Sequence, residues 1–145
     1  QWAQDLNVPF CQATSCGTSA LITALASLGI GPGDEVLLPP HTFIATVNAV
    51  ILHHALPVFV DSAPATAQID PAQIEERINE NTRCVIPVHI GGASCDIEQV
   101  LAIAKRKKLA VIEDSCQTHT GEWKGKRLGT FGDAGFGDGH TVTVD

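Results

Sequence analysis

Short apolar runs alternating with helical segments predict an α/β protein, layered around a largely parallel sheet. Three observations point there. Runs at 35–38, 57–60, 83–88 and 109–112 have the length and apolar character of buried strands. The stretches between them carry apolar residues at helical spacing, bounded by cap and breaker residues. No internal repeat or low-complexity segment competes with that alternation.

Taken in order, residues 5–12 are expected to end a helix and turn, with Pro9 as the breaker. Ala20, Leu21, Ala24, Leu25 and Leu28 recur at helical spacing across 20–30, and Gly29 with Gly31 is a natural stop. Pro32-Gly33-Asp34 is a turn before the strand at 35–38. A second helix is expected over 43–54, with Thr42 as its N-cap. After the strand at 57–60, Asp70-Pro71-Ala72-Gln73 carries a cap, a first-turn proline and a capping-box partner, opening a helix over 74–79. The strand at 83–88 runs into His89 and a Gly91-Gly92 turn. Asp96-Ile97-Glu98-Gln99 repeats the capping-box pattern before a helix ending at Lys108. The run at 109–112 should stop at Glu113 and Asp114. Residues 121–129 read as a polar, glycine-rich hairpin and 141–144 as a last strand. In such a sheet the strand ends at Pro39, Asp61, His89 and Asp114 should share one rim, with the helix opening at Gly17-Thr18-Ser19 facing the same way.

At 145 residues the chain suits one domain with a real core. A hydrophobic fraction of 44% against 17% charged residues places it among globular proteins. The formal charge of -7 disfavours a nucleic-acid partner. The one basic cluster, Lys105-Arg106-Lys107-Lys108, closes a predicted helix, where cations complement the helix dipole. Five cysteines, at 11, 16, 84, 95 and 116, form no CxxC pair and read as reduced thiols of a cytosolic protein. The six histidines show no metal-ligand spacing, so no metal is expected. No apolar run is long enough to cross a membrane, and none is expected as a partner. The chain holds no methionine and opens mid-pattern at Gln1-Trp2-Ala3, so its N-terminus is expected upstream.

Two places carry chemistry. Asp114, at the carboxyl end of a buried strand, is where a charged side chain would meet a ligand, although two acidic residues also end strands for purely structural reasons. Gly17-Thr18-Ser19 at a helix N-terminus is a competent anion site, with free N–H groups, added hydroxyls and a glycine for close approach; an ordinary N-cap has the same look. Neither GxGxxG after a strand nor GxxxxGK[ST] is present.

Read together, Ser15-Cys-Gly-Thr-Ser-Ala-Leu, Gly31-Pro-Gly-Asp-Glu-Val, Thr42-Phe-Ile-Ala-Thr, Pro87-Val-His, Val111-Ile-Glu-Asp, Lys124-Gly-Lys and Gly132-Asp133 resemble, in order, the nucleotide-sugar aminotransferases of the DegT/StrS type. These are fold-type I enzymes dependent on pyridoxal 5'-phosphate (PLP). The resemblance implies a three-layer α/β/α large domain spanning 1–145, an incomplete part of a longer homodimeric, cytoplasmic protein. The N-terminal segment and C-terminal small domain of the family would then lie outside this sequence. It implies transfer of an amino group from glutamate or glutamine, through PLP, to a keto group of a nucleotide-linked sugar. By the same resemblance Asp114 pairs with the pyridine nitrogen; Gly17, Thr18 and Ser19 hold the cofactor phosphate; Phe43 stacks on the ring; and Gln117 lies beside it. Phe43 as helix core and Gln117 as a turn cap remain the structural alternatives.

One departure matters. In the family, Gly-Asp-x-Gly leads into the stretch bearing the Schiff-base lysine. Here Gly132-Asp133-Ala134-Gly135 runs into Phe136-Gly137-Asp138-Gly139-His140, which resembles a later glycine turn, and the lysines at 105, 107, 108, 124 and 126 all lie elsewhere. The lysine-bearing segment is therefore expected to be omitted between 135 and 136, with a chain break there. A non-catalytic PLP-binding homologue and a lysine-independent sugar dehydratase are the alternatives.

Overall fold

The structure, a computed structural model, describes residues 1–118 and 120–137, together with the backbone of 141–144. In chain order the elements are α1 (Trp2–Leu6), β1 (Phe10–Ala13), α2 (Gly17–Ser27), β2 (Glu35–Leu38), α3 (Ile44–Leu52), β3 (Leu56–Phe59), α4 (Pro71–Arg77) and β4 (Thr82–Val85). A single 3-10 turn at Ile90–Gly92 follows, then α5 (Ile97–Lys107), β5 (Ala110–Ser115), β6 (Glu122–Trp123), β7 (Lys126–Arg127), β8 (Ala134–Gly137) and β9 (Thr141–Val144). Seven strands form one sheet in the order β1-β9-β8-β5-β4-β2-β3. It is parallel from β3 through β2, β4 and β5 to β8, and β9 is antiparallel to both β8 and β1.

Alternation along the strands makes the layers. Successive strand side chains point to opposite faces. Val36, Leu38, Cys84 and Ile112 accordingly pack in one cluster with Leu21, Ala24 and Leu25 of α2 and Ala49 and Val50 of α3. Their neighbours Leu37, Val85 and Val111 pack in a second cluster with Ile74 of α4 and Ile97, Val100 and Ile103 of α5. Helices thus cover both faces, and the predicted three-layer α/β/α architecture with a mostly parallel sheet is the one observed.

Local chemistry explains where helices begin and end. Asp70 caps α4 by accepting from the Ala72 N–H at 3.0 Å, with Pro71 in the first turn. Asp96 caps α5 by accepting from Gln99 N at 3.1 Å. The basic end of α5 is structural as read: Arg106 and Lys107 both pair with Glu75 of α4.

Several expectations change. Thr42 does not cap α3; Phe43 occupies that position without a side-chain bond, and the Thr42 hydroxyl lies 2.8 Å from that of Thr46. The segment at 10–13 is a strand, because β9 supplies an antiparallel partner that local sequence cannot announce. Glu113 and Asp114 do not end their strand but lie within β5, since β8 extends the ladder past them. The expected omission of the lysine-bearing segment falls between Gly135 and Phe136. Both residues sit inside β8, pairing Glu113↔Gly135 and Asp114↔Phe136 without a shift of register. Glycine is required at 135 because a Cβ there would stand 2.1 Å from the Gly129 carbonyl oxygen. The hairpin expected over 121–129 is β6–β7, and the strand expected at 141–144 is β9.

Candidate active site

At the carboxyl ends of β5 and β8 lies a cavity of about 530 Å³, within the range of small-molecule sites. Asp114 and Phe136 form part of its lining, neighbours across the β5–β8 ladder. Gly17, Thr18 and Leu21 contribute the first turns of α2, Phe43, Ala45 and Thr46 the start of α3, and Cys116 and Gln117 the turn after β5.

Asp114 is only 4% exposed. Its Oδ2 accepts the Thr46 hydroxyl at 2.9 Å and its Oδ1 the Cys116 N–H at 3.2 Å. Because the Thr46 proton is used on Asp114, the neighbouring Thr42 hydroxyl donates to Thr46, giving a relay from the start of α3 to the carboxylate. Burial raises the Asp114 pKa above the ordinary carboxylate value, and the bonds from Thr46 and Cys116 only partly oppose it. An ionised carboxylate here gains from a cationic N–H partner in the cavity, the chemistry of a protonated pyridine nitrogen.

The α2 N-terminus supplies the opposite polarity. Its first N–H groups have no intrahelical acceptor, and the helix dipole favours an anion there. A Cβ on Gly17 would stand 3.2 Å from Cys116 Sγ, so glycine keeps this wall open. Around the same turn the Ser19 hydroxyl bonds Ser15 Oγ at 3.1 Å and Cys16 Sγ at 3.3 Å. The bond from Ser19, aided by its backbone N–H, brings the Cys16 thiol down to about 7. Cys116 goes the other way, to about 12, through burial first and the nearby Asp114 charge second. A phosphate at the helix N-terminus and a pyridinium at Asp114 both suit this donor set, so the residues present fit PLP.

Of the residues singled out from sequence, Gly17, Thr18, Phe43, Asp114 and Gln117 line one cavity. Ser19 does not line it; its hydroxyl is engaged by Ser15 and Cys16. Phe43 is 69% exposed at the mouth, so it is not helix core. Gln117 Oε1 accepts from Gly91 N at 3.1 Å, which ties the turn after β5 to the 3-10 turn. Of the expected rim, Pro39 and Asp61 lie off the cavity. His89 is fully buried behind it and meets Glu113 Oε2 at 3.1 Å. Sequence reading missed Cys16, Thr46, Cys116 and Phe136. Thr46 alone carried a signal, a hydroxyl one turn after Thr42 on a mostly apolar helix. None of the chain's lysines lines the cavity.

Comparison with known proteins places this geometry. The chain is 43% identical over 133 residues to GDP-perosamine synthase of Escherichia coli O157:H7, covering 92% of this chain and 36% of that protein. It is 40% identical over 134 residues to the dTDP-3-amino-3,6-dideoxy-alpha-D-galactopyranose transaminase of Aneurinibacillus thermoaerophilus, covering 92% and 37%. Among solved structures, ntda from Bacillus subtilis with bound cofactor PMP superposes with a TM-score of 0.90 at 36% identity, covering 99% of this chain and 35% of that one. The chain therefore spans a little over a third of the length of these relatives. The family model matches residues 1–137, and the chain belongs to the DegT/DnrJ/EryC1/StrS aminotransferase family.

Proposed function

We propose that this chain is the cofactor-binding large domain of a longer, PLP-dependent aminotransferase. It would pass an amino group from glutamate or glutamine to a keto group of a nucleotide-linked sugar. The observation that carries the reading is the pairing, in one cavity, of a buried carboxylate at Asp114 with the open N-terminus of α2. Family membership and the transaminase relatives support the reaction class.

When bound, PLP supplies an electron sink that eases bond breaking at the carbon bearing the amino group. The residues of this chain prepare it. Asp114 holds a proton on the ring nitrogen, and Thr46 fixes the carboxylate that does so. Gly17 and Thr18 hold the phosphate through the helix N-terminus, and Ser19 orders that turn through Ser15 and Cys16. Phe43 covers the ring from the mouth, and Gln117 closes the side nearest the 3-10 turn.

Among the described residues no lysine lines the cavity, so we assign the amine that would carry the cofactor to the lysine-bearing segment expected between 135 and 136. A second reading, a homologue that binds PLP without turning it over, is favoured by one observation. The lysines of this sequence, at 105, 107, 108, 124 and 126, all lie off the cavity that holds Asp114. The full-length protein is read as a cytoplasmic homodimer. The exposed Phe43 at the mouth leaves the site open on one side, and the unoxidised thiols of Cys16, Cys84, Cys95 and Cys116 suit a reducing compartment.

The test is direct. Purified full-length protein, given PLP, glutamate and a keto-sugar nucleotide, should yield the amino sugar by mass spectrometry, and borohydride should fix the cofactor to a lysine. Retention of PLP without product or fixation selects the second reading, and failure to retain PLP rejects both. Sedimentation should give twice the full-length mass, which an active monomer would contradict.

A further inference from the structure

Glu113 and Asp114 are successive residues of β5, so their side chains leave opposite faces of the sheet. Asp114 enters the cavity. Glu113 turns away from it, is fully buried, and accepts four hydrogen bonds. Its Oε1 accepts from the N–H groups of Phe131 and Gly132, the latter at 2.7 Å. Its Oε2 accepts from Gly129 N at 3.0 Å and from His89 Nε2 at 3.1 Å. The His89 tautomer follows from its other side. Nδ1 accepts from the Cys95 N–H at 3.2 Å, so the ring proton sits on Nε2, directed at Glu113.

A buried carboxylate is a poor choice for core filling, because desolvation offsets much of what its bonds return. What the arrangement yields is registration. The 129–132 turn that Glu113 gathers leads into β8, which sets Phe136 opposite Asp114. His89 is stitched to the Asp114 backbone: its N–H donates to Asp114 O at 2.9 Å, while Asp114 N donates to Pro87 O at 3.0 Å. The His89 carbonyl also receives the Thr118 hydroxyl at 2.7 Å, which fixes the turn bearing Cys116 and Gln117. The cavity residues from β5, β8 and the turn between β5 and β6 are thus held from behind by one pair.

We propose that Glu113 and His89 are positioning residues for Asp114, locking the strand end from the far side of the sheet so that its carboxylate meets the cofactor ring nitrogen in line. The proposal rests on the reading of Asp114 as that nitrogen's partner. Its test uses the full-length holoprotein carrying PLP labelled with 15N at the ring nitrogen. Ring-nitrogen protonation is read by NMR, cofactor Kd by fluorescence and Tm by calorimetry. Asp114→Asn, the control, should shift the resonance to the unprotonated position. Glu113→Gln should move it part of the way and raise Kd about tenfold, as for a misaligned charge-assisted bond. His89→Asn, which keeps an acceptor for Cys95 N–H but loses the donor to Glu113, should do the same. His89→Gln, whose amide nitrogen reaches Glu113, should restore the resonance.

A lowered Tm with resonance and Kd unchanged in Glu113→Gln and His89→Asn would make the pair core packing and overturn the proposal. Equal behaviour of His89→Asn and His89→Gln would overturn it too, as would loss of folding in all three variants. A protonated resonance in Asp114→Asn would instead reject the reading of Asp114 itself.

Discussion

Asp114→Asn should stabilise the apo protein at neutral pH, and by an amount that depends on pH in a defined way. Burial raises the native pKa of Asp114 above its unfolded value near 3.8. Between the two values the native state binds a proton that the unfolded state has released. Linkage then makes wild-type stability fall as pH rises, by at most about 1.4 kcal/mol per pH unit for this one group. Below pH 3.8 the effect is absent, and above the native pKa it is complete and flat. Asparagine has nearly the same shape and keeps the local bonds: its oxygen accepts from Cys116 N, and its amide donates to Thr46 Oγ1, whose proton can turn toward Thr42. The variant should therefore match wild type at the acid end and gain progressively toward neutrality. Cys116, raised to about 12, stays a thiol across the range and adds no slope. The assay is urea denaturation of apo wild type and variant from pH 4 to 8, with the difference in unfolding free energy plotted against pH. A constant difference, or a wild type that gains on the variant as pH rises, would refute the reasoning that desolvation dominates at this carboxylate.

Other expected outcomes follow from single contacts. Thr18→Ala should weaken PLP retention on dialysis by about 1–3 kcal/mol if its hydroxyl bonds the phosphate, and unchanged affinity would return Thr18 to plain helix structure. With its thiol at about 7, Cys16 should be alkylated by iodoacetamide with a rate midpoint near neutral pH, far ahead of buried Cys84 and Cys95, and PLP should protect it; peptide mapping that finds Cys84 or Cys95 modified first would contradict this. Gly135→Ala should leave little folded protein by circular dichroism, because the added methyl meets the Gly129 carbonyl at 2.1 Å in backbone that Glu113 already holds; a normally folded variant would contradict the β8 register.

What was legible in the sequence was whatever a few neighbouring residues decide. Asp70-Pro71 and Asp96 announced their helices because a cap bond closes within three residues. The alternation of Val36, Leu37 and Leu38 announced a strand covered on both faces. The motif residues of the site were legible by resemblance, and five of them do share a cavity. The illegible parts depend on partners distant in sequence. β1 exists because β9 lies beside it, and β5 continues through two carboxylates because β8 supplies the next rung. Thr46 reaches Asp114 across 68 residues, and no spacing rule spans that interval. The Glu-Asp pair shows the physical reason most clearly. In sequence the two residues are equivalent acidic neighbours at a strand end; in the sheet, the pleat sends one to the cavity and the other into a cage of backbone N–H groups. Their chemistry diverges because period-two geometry places them on opposite sides of one layer, so a site in this fold is specified as much by what anchors the back of the strand as by what faces the ligand.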